Sequence, residues 1–210
     1  QYGRCFFMRK ILKFCGFCCL LAALLWFGSV IADRQSLNED IVRLHVVANS
    51  DSEEDQALKL QVRDAVTAKL QAVMGALPDA QQAKEWIQAN LEELESFVNQ
   101  FLSDVGSADT AKVTFQKEAF DTRKYDTFSL PAGVYESLRI TIGNGEGKNW
   151  WCVVFPMLCA PATTEGFADA AAGSGFPDSL TGALEDDGGY EIRFFFLDCL
   201  GRIENFFHRN

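Results

Sequence analysis

The residues able to do chemistry are few and gather at two places along the chain. Only 2 of its 210 residues are histidines, His45 and His208, so a multi-histidine zinc site would need cysteine or acidic ligands as well. No metal site and no cofactor are expected. His45 stands two residues after Arg43 and is followed by Asn49, Asp51 and Asp55. That set suits an acid/base centre or a recognition patch, and a strand histidine satisfied by its neighbours fits the same pattern. The second place is Lys148-Asn149-Trp150-Trp151-Cys152. Neighbouring strand residues face opposite ways, so one tryptophan is expected in the core and the other exposed as a docking anchor. Cys152 and Cys159 flank Pro156, where a turn would bring them together as a disulfide and leave Cys199 over.

Other candidates resolve into turns. Gly143, Gly145 and Gly147 are followed by no helix and by no Lys-Ser or Lys-Thr pair, so they mark a hairpin rather than a phosphate cradle. Asp109-Thr110-Ala111 resembles an aspartic-protease triplet but lacks the glycine that admits substrate. No serine occupies a Gly-x-Ser-x-Gly elbow, and no base pairs with a cysteine nucleophile. No catalytic residue is assigned.

The elements that position these residues begin with an apolar run. Phe14 to Ala32 carries no charge and is about long enough to cross ~30 Å of hydrocarbon as a helix. Arg9, Lys10 and Lys13 crowd its upstream end, which keeps that end cytoplasmic and sends Asp33 and all that follows outward. From Met8 the order of basic, apolar and small residues is that of a signal peptide. Cleavage after Ala32 and retention of residues 14–32 as a membrane anchor both fit the length of the run. The 29 acids outnumber the 19 Lys and Arg for a net charge of −10, and the charges in residues 1–32 are all basic, so the exported part is the acidic part. Such a surface repels nucleic acid and anionic lipid headgroups.

Residues 33–40 read as a short polar linker, followed by an extracytoplasmic domain over 41–210. In Ile41 to Ala48, Val42, Leu44 and Val46 alternate with Arg43, His45 and Val47, which predicts a half-buried strand with Arg43 and His45 on its outward face. Asn49 and Asp51 are expected to cap the helix that follows, in which Leu58, Val62, Val66 and Leu70 recur at helical spacing up to Gly75. A second helix is expected from Ala80 to Leu102. The period then changes to two over 112–120, 125–130, 137–142 and 149–155, predicting strands. Residues 160–189 read as a flexible loop, and 191–210 as a strand or helix whose Phe194-Phe195-Phe196 run must be covered. The sum is an α+β domain of two layers, with one N-terminal strand, two long helices and a mostly antiparallel sheet.

Two strings are specific enough to carry a resemblance. IVRLHVVANSDS (41–52) with DQALKL (55–60) and VRD (62–64), and PAGVYESLR (131–139) with GKNWWCVVFP (147–156), resemble the stage II sporulation protein R family. The resemblance covers nearly all of Asn38 to Cys159. It implies an intercellular signal of endospore-forming bacteria, made in the forespore and exported into the space between the two septal membranes. There it would activate a membrane-embedded aspartic protease of the mother cell, which matures the precursor of sigma factor E. The alternative from another class is an exported cell-envelope hydrolase using paired acidic residues. On the signalling reading, Arg43, His45, Asn49, Asp51, Asp55, Lys148, Asn149, Trp150 and Trp151 are the expected partner-binding residues.

Overall fold

Alternation in the chain builds a sheet with two unlike faces. In the computed structural model, which describes residues 2–125, 128–158, 184 and 192–209 with side chains from Lys10 onward, the strands are β1 (Val42–Val47), β2 (Ala111–Phe120), β3 (Arg123–Lys124), β4 (Ser129–Leu130), β5 (Gly133–Ile142) and β6 (Asn149–Phe155). The main sheet has the order β2-β5-β1-β6, and β3 pairs with β4 beside it. β1 runs parallel to β5, with His45 opposite Arg139, while the β1–β6 and β2–β5 pairs are antiparallel. The helices are α1 (Tyr2–Asp40), α2 (Glu53–Met74), α3 (Ala80–Ala89), α4 (Leu91–Asp104) and α5 (Ile192–Arg209). The α+β class expected from the sequence is the class observed.

One face of the sheet presents Val42, Leu44, Val46, Leu138, Ile140 and Val154, packed against Val62, Val66, Leu70, Ile87, Leu94 and Val98 of α2, α3 and α4. The helices are amphipathic, and that burial removes their apolar stripes from water. Ser52 caps α2, its hydroxyl accepting from Asp55 N at 3.1 Å, and Glu53, Glu54 and Asp55 fill the first turn, where the helix dipole favours acids. The expected helix over 80–102 is interrupted at Asn90, whose side-chain amide donates back to Trp86 O at 2.7 Å. A short amide that bonds its own backbone competes with helix continuation.

The other face is covered too. Phe120, Tyr135 and Val153 of the sheet meet Val30 and Leu37 of α1, Ile41 just after it, and Leu197 of α5. This layer overturns the linker expected over 33–40: those residues continue α1 without a break. The stretch contains no glycine or proline, and Leu37 is fully buried. Asp33 pairs with Arg193, while Arg34 and Asn38 donate to Glu204 at 2.6 and 3.1 Å. Tertiary contact of this kind is what stabilises most helices in proteins. Residues 192–209 form a helix, and Gly201 lets it approach the sheet layer closely, since a β-carbon there would collide with the carbonyl of Ala132. Phe194 and Phe196 are half-buried as expected, but Phe195 remains exposed. The loop expected over 160–189 lies, apart from Leu184, outside the described residues.

Among the described residues one helix, α1, is long and apolar enough to cross a membrane, over Lys10–Asp40. Its leucines and phenylalanines between Ile11 and Phe27 are exposed. That is consistent with a signal peptide or an anchor.

Candidate functional site

The turn from β1 into α2 and the hairpin from β5 into β6 lie side by side, because β1 is the neighbour of both hairpin strands. Hydrogen bonds lock the two loops together. Asn49 Oδ1 accepts from Asn144 N at 2.9 Å and Asp51 Oδ1 from Lys148 N at 2.7 Å, while Gly147 N donates to Ala48 O at 2.9 Å. Asn49 and Asp51 therefore do not cap α2, which is the task of Ser52; they hold the hairpin. Asp55 accepts from Ser50 Oγ at 2.5 Å and from Asn49 Nδ2 at 3.2 Å, and the Ser50 bond leads in holding its carboxyl below the usual range. From α2, Lys59 Nζ donates to Lys148 O at 2.9 Å, and burial pushes its ammonium down. Gly145, at φ 67°, takes a left-handed turn conformation that suits glycine.

Trp150 and Trp151 separate as strand alternation requires. Trp150 is 37% exposed, with the guanidinium of Arg63 over its ring at 4.3 Å. Lys148 and Asn149 are exposed beside it, and so is Asp51. Trp151 turns the other way and stacks on His45 at 5.6 Å between ring centres, with the Arg123 guanidinium on its ring at 3.7 Å.

His45 is buried, not outward. Its Nδ1 lies 3.1 Å from Glu118 Oε2 and its Nε2 lies 2.9 Å from the side-chain amide of Asn149. An ionised carboxylate only accepts, so Nδ1 carries the hydrogen of that bond. Arg139 Nη1 donates to the other Glu118 oxygen at 2.8 Å. Burial pushes the Glu118 carboxyl up, but the bonds from His45 and Arg139 outweigh it and lower the group to about 2. These side chains floor a cleft of about 350 Å³ whose far wall includes His208 and Arg209 of α5. Its two carboxylates, Glu118 and Asp121, each have a cationic partner, Asp121 pairing with Arg209 at 3.2 Å. A carboxyl held so low stays ionised at neutral pH and is not a proton donor of the kind a glycoside hydrolase needs.

Arg43 departs furthest from expectation. It is 0% exposed, so the outward patch predicted for it does not form. Its guanidinium lies over Phe120 at 4.0 Å and Tyr135 at 5.3 Å, and Nη2 donates to Tyr125 Oη at 2.9 Å. The strand alternation was read correctly, but the second face is covered by α1 and α5, so outward on the strand is inward in the molecule. Of the expected residues, the structure gathers His45, Asn49, Asp51, Asp55, Lys148, Asn149, Trp150 and Trp151 at one end of the sheet and sends Arg43 into the core. Sequence reasoning passed over Glu118, Arg139, Arg63 and Arg123; charged residues breaking the apolar alternation of β2 and β5 were the available signal for the first two. Cys152 is disulfide-bonded; its expected partner Cys159 lies outside the described residues. Cys199 is free and exposed.

The class these features define is an α+β domain joined without interruption to an apolar helix able to cross a membrane. The family model of stage II sporulation protein R matches residues 38–165. Over 160 residues the chain is 35% identical to stage II sporulation protein R of Bacillus subtilis (strain 168), covering 72% of this chain and 71% of that protein. The chain thus belongs to the stage II sporulation protein R family, a family of sporulation proteins. No solved structure matches it.

Proposed function

We propose that this chain is an exported signal that activates a membrane-embedded aspartic protease of the mother cell, the one that matures the sigma factor E precursor. The observation carrying this reading is the family match over residues 38–165, which takes in β1, the β5–β6 hairpin and every residue gathered between them. Its support from the fold is the apolar helix: the basic residues upstream of the span direct the domain out of the cytoplasm, the side from which, on this reading, it reaches the space between the two septal membranes. The protease-facing surface is the hairpin end, where Trp150, Arg63, Lys148 and Asp51 offer one aromatic anchor within a polar surround, the composition of a binding hot spot.

The test is co-expression of the full chain with the protease and the sigma precursor in a host that does not sporulate, scored by precursor cleavage. Cleavage is expected with the full chain and lost when residues 1–32 are deleted, which leaves the domain in the cytoplasm. Trp150→Ala is expected to lower cleavage at unchanged melting temperature, since truncating a hot-spot aromatic costs more than about 1 kcal/mol of binding. Cleavage that proceeds equally without the chain, or with the cytoplasmic domain, overturns the proposal.

A further inference from the structure

Helix α5 is amphipathic with the wrong side outward. Its buried positions Leu197, Gly201 and Asn205 face the domain. At 100° per residue, Ile192, Phe195, Cys199, Ile203, Phe206 and Phe207 fall within about 120° of arc on the opposite side. Ile192 is 64% exposed, Ile203 55% and Phe207 74%. A water-facing helix surface is ordinarily polar, and a contiguous apolar one marks an interaction site.

The position of α5 identifies the occupant. The helix packs on α1 where α1 leaves its apolar run: Arg193 pairs with Asp33, the first acid after the run, and Phe196 meets Trp26 edge-on at 5.3 Å. Trp26 lies seven residues before Asp33, ~10 Å back along the helix axis. Wherever α1 sits in hydrocarbon, the first turns of α5 are therefore level with lipid, and its later turns, where Glu204 meets Arg34 and Asn38, are level with the part of α1 just beyond the apolar run, at the depth of the headgroups. Arg193 near one end of the stripe, Arg209 just past the other and Arg202 along its flank are residues usual at such a boundary, and each pairs with an acid of the domain. The family match ends at residue 165, before this helix begins.

We infer that α5 is an interfacial helix whose Ile192–Phe207 stripe rests in the outer leaflet of the membrane that α1 enters, holding the domain against the lipid surface in a fixed attitude. This rests on the reading of α1 as a membrane segment. The stripe supplies its own probe, because Cys199 lies at its centre, and Cys18 supplies one within α1.

The full chain, reconstituted in phosphatidylcholine–phosphatidylglycerol vesicles, would be spin-labelled at a single site after replacing Cys5, Cys15, Cys19 and, for each label, the unlabelled ones of Cys18 and Cys199 by alanine. Labels at Cys199, at Cys18 and at Gln71→Cys on the exposed side of α2 would be compared for collisions with oxygen and with a water-soluble nickel chelate. The expected result is a high oxygen-to-nickel ratio at Cys18 and at Cys199, and a low one at Gln71→Cys. Ile203→Glu with Phe207→Glu is expected to bring the Cys199 ratio down to the Gln71→Cys value at unchanged melting temperature. A water-like ratio at Cys199 with a lipid-like one at Cys18 overturns this inference alone; a water-like ratio at both overturns the membrane reading with it. A Cys199 label shielded from both reagents and broadened by spin–spin coupling also overturns it, assigning the stripe to a second copy of the chain.

Discussion

Arg43 shows how a single buried cation is accommodated without a carboxylate. Two ring faces and one phenolic oxygen meet its charge, while Nε and Nη1 have no hydrogen-bond partner among the described residues. Packing therefore carries more of its contribution than pairing does. Arg43→Ala is expected to destabilise the domain by on the order of 2–4 kcal/mol through lost volume. Arg43→Met, which keeps the volume and buries no unsatisfied donor, should cost much less. Thermal melts of the two variants decide this, and equal losses would show that the charge itself matters. Glu118 gives the pH dependence. Its carboxyl is lowered from an ordinary 4.5 to about 2, so its contribution to stability is fully present above pH 4.5 and is lost as pH falls toward 2. Glu118→Gln should flatten the melting temperature in that window, and an unchanged slope would place the acid sensitivity elsewhere.

At the scale of elements, α5 is fixed to the sheet layer by contacts that tolerate little bulk. Asn205 Nδ2 donates to Phe120 O at 2.7 Å and Asp198 accepts from Ala132 N at 2.8 Å, with Gly201 between them against the Ala132 carbonyl. Gly201→Ala gains helix propensity, worth about 1 kcal/mol in isolation, but forces α5 away from Ala132. Overpacking of this sort typically costs about 1–3 kcal/mol, so the variant is expected to melt lower, and a higher melting temperature would show that the contact yields. This layer was the part least legible in the sequence. β1, β2, β6 and α2 announced themselves through alternation and 3.6-residue spacing, because each buries one face against the common core. Residues 33–40 looked like a linker because Asp33, Arg34 and Asn38 find partners in α5, some 160 positions away in the chain, and Arg34 also in Tyr135 of β5, and no local pattern reports partners so remote. The same distance hid Arg43. His45 was singled out correctly as chemically distinctive, yet its partner Glu118 lies on a strand two places away in the sheet, a proximity set by the order β2-β5-β1-β6. Asn49 and Asp51 were misread as caps for the converse reason: their composition suits a cap, and the hairpin that takes their oxygens instead is nearly a hundred residues downstream.

For the whole molecule, the join between α1 and the domain decides what a processed form would be. The end of α1 and the residue after it enter the second core through Val30, Leu37 and Ile41, all essentially buried. A cut after Ala32 divides this set, removing Val30 and the Trp26–Phe196 contact while leaving Leu37, Ile41 and the pairs made by Asp33, Arg34 and Asn38 with α5. The core formed with α2, α3 and α4 is untouched, so the fragment from Asp33 retains most of what orders the sheet. Loss of one buried valine removes roughly 1.5–3 kcal/mol, a large share of a typical net stability but less than the whole. The fragment 33–210 is therefore expected to fold, with the helical circular dichroism of α2–α5 and a melting temperature below that of a fragment starting at Trp26. Starting instead at Ile41 removes Leu37 and all three pairing residues, and α5 should then detach. Hydrogen exchange would show this as protection lost across 192–209 but kept in β1 and α2. If the 41–210 fragment kept its protection in α5, the end of α1 would be dispensable, and α5 would be held by its contacts with the sheet layer, those of Leu197, Asp198, Gly201, Asn205 and Arg209.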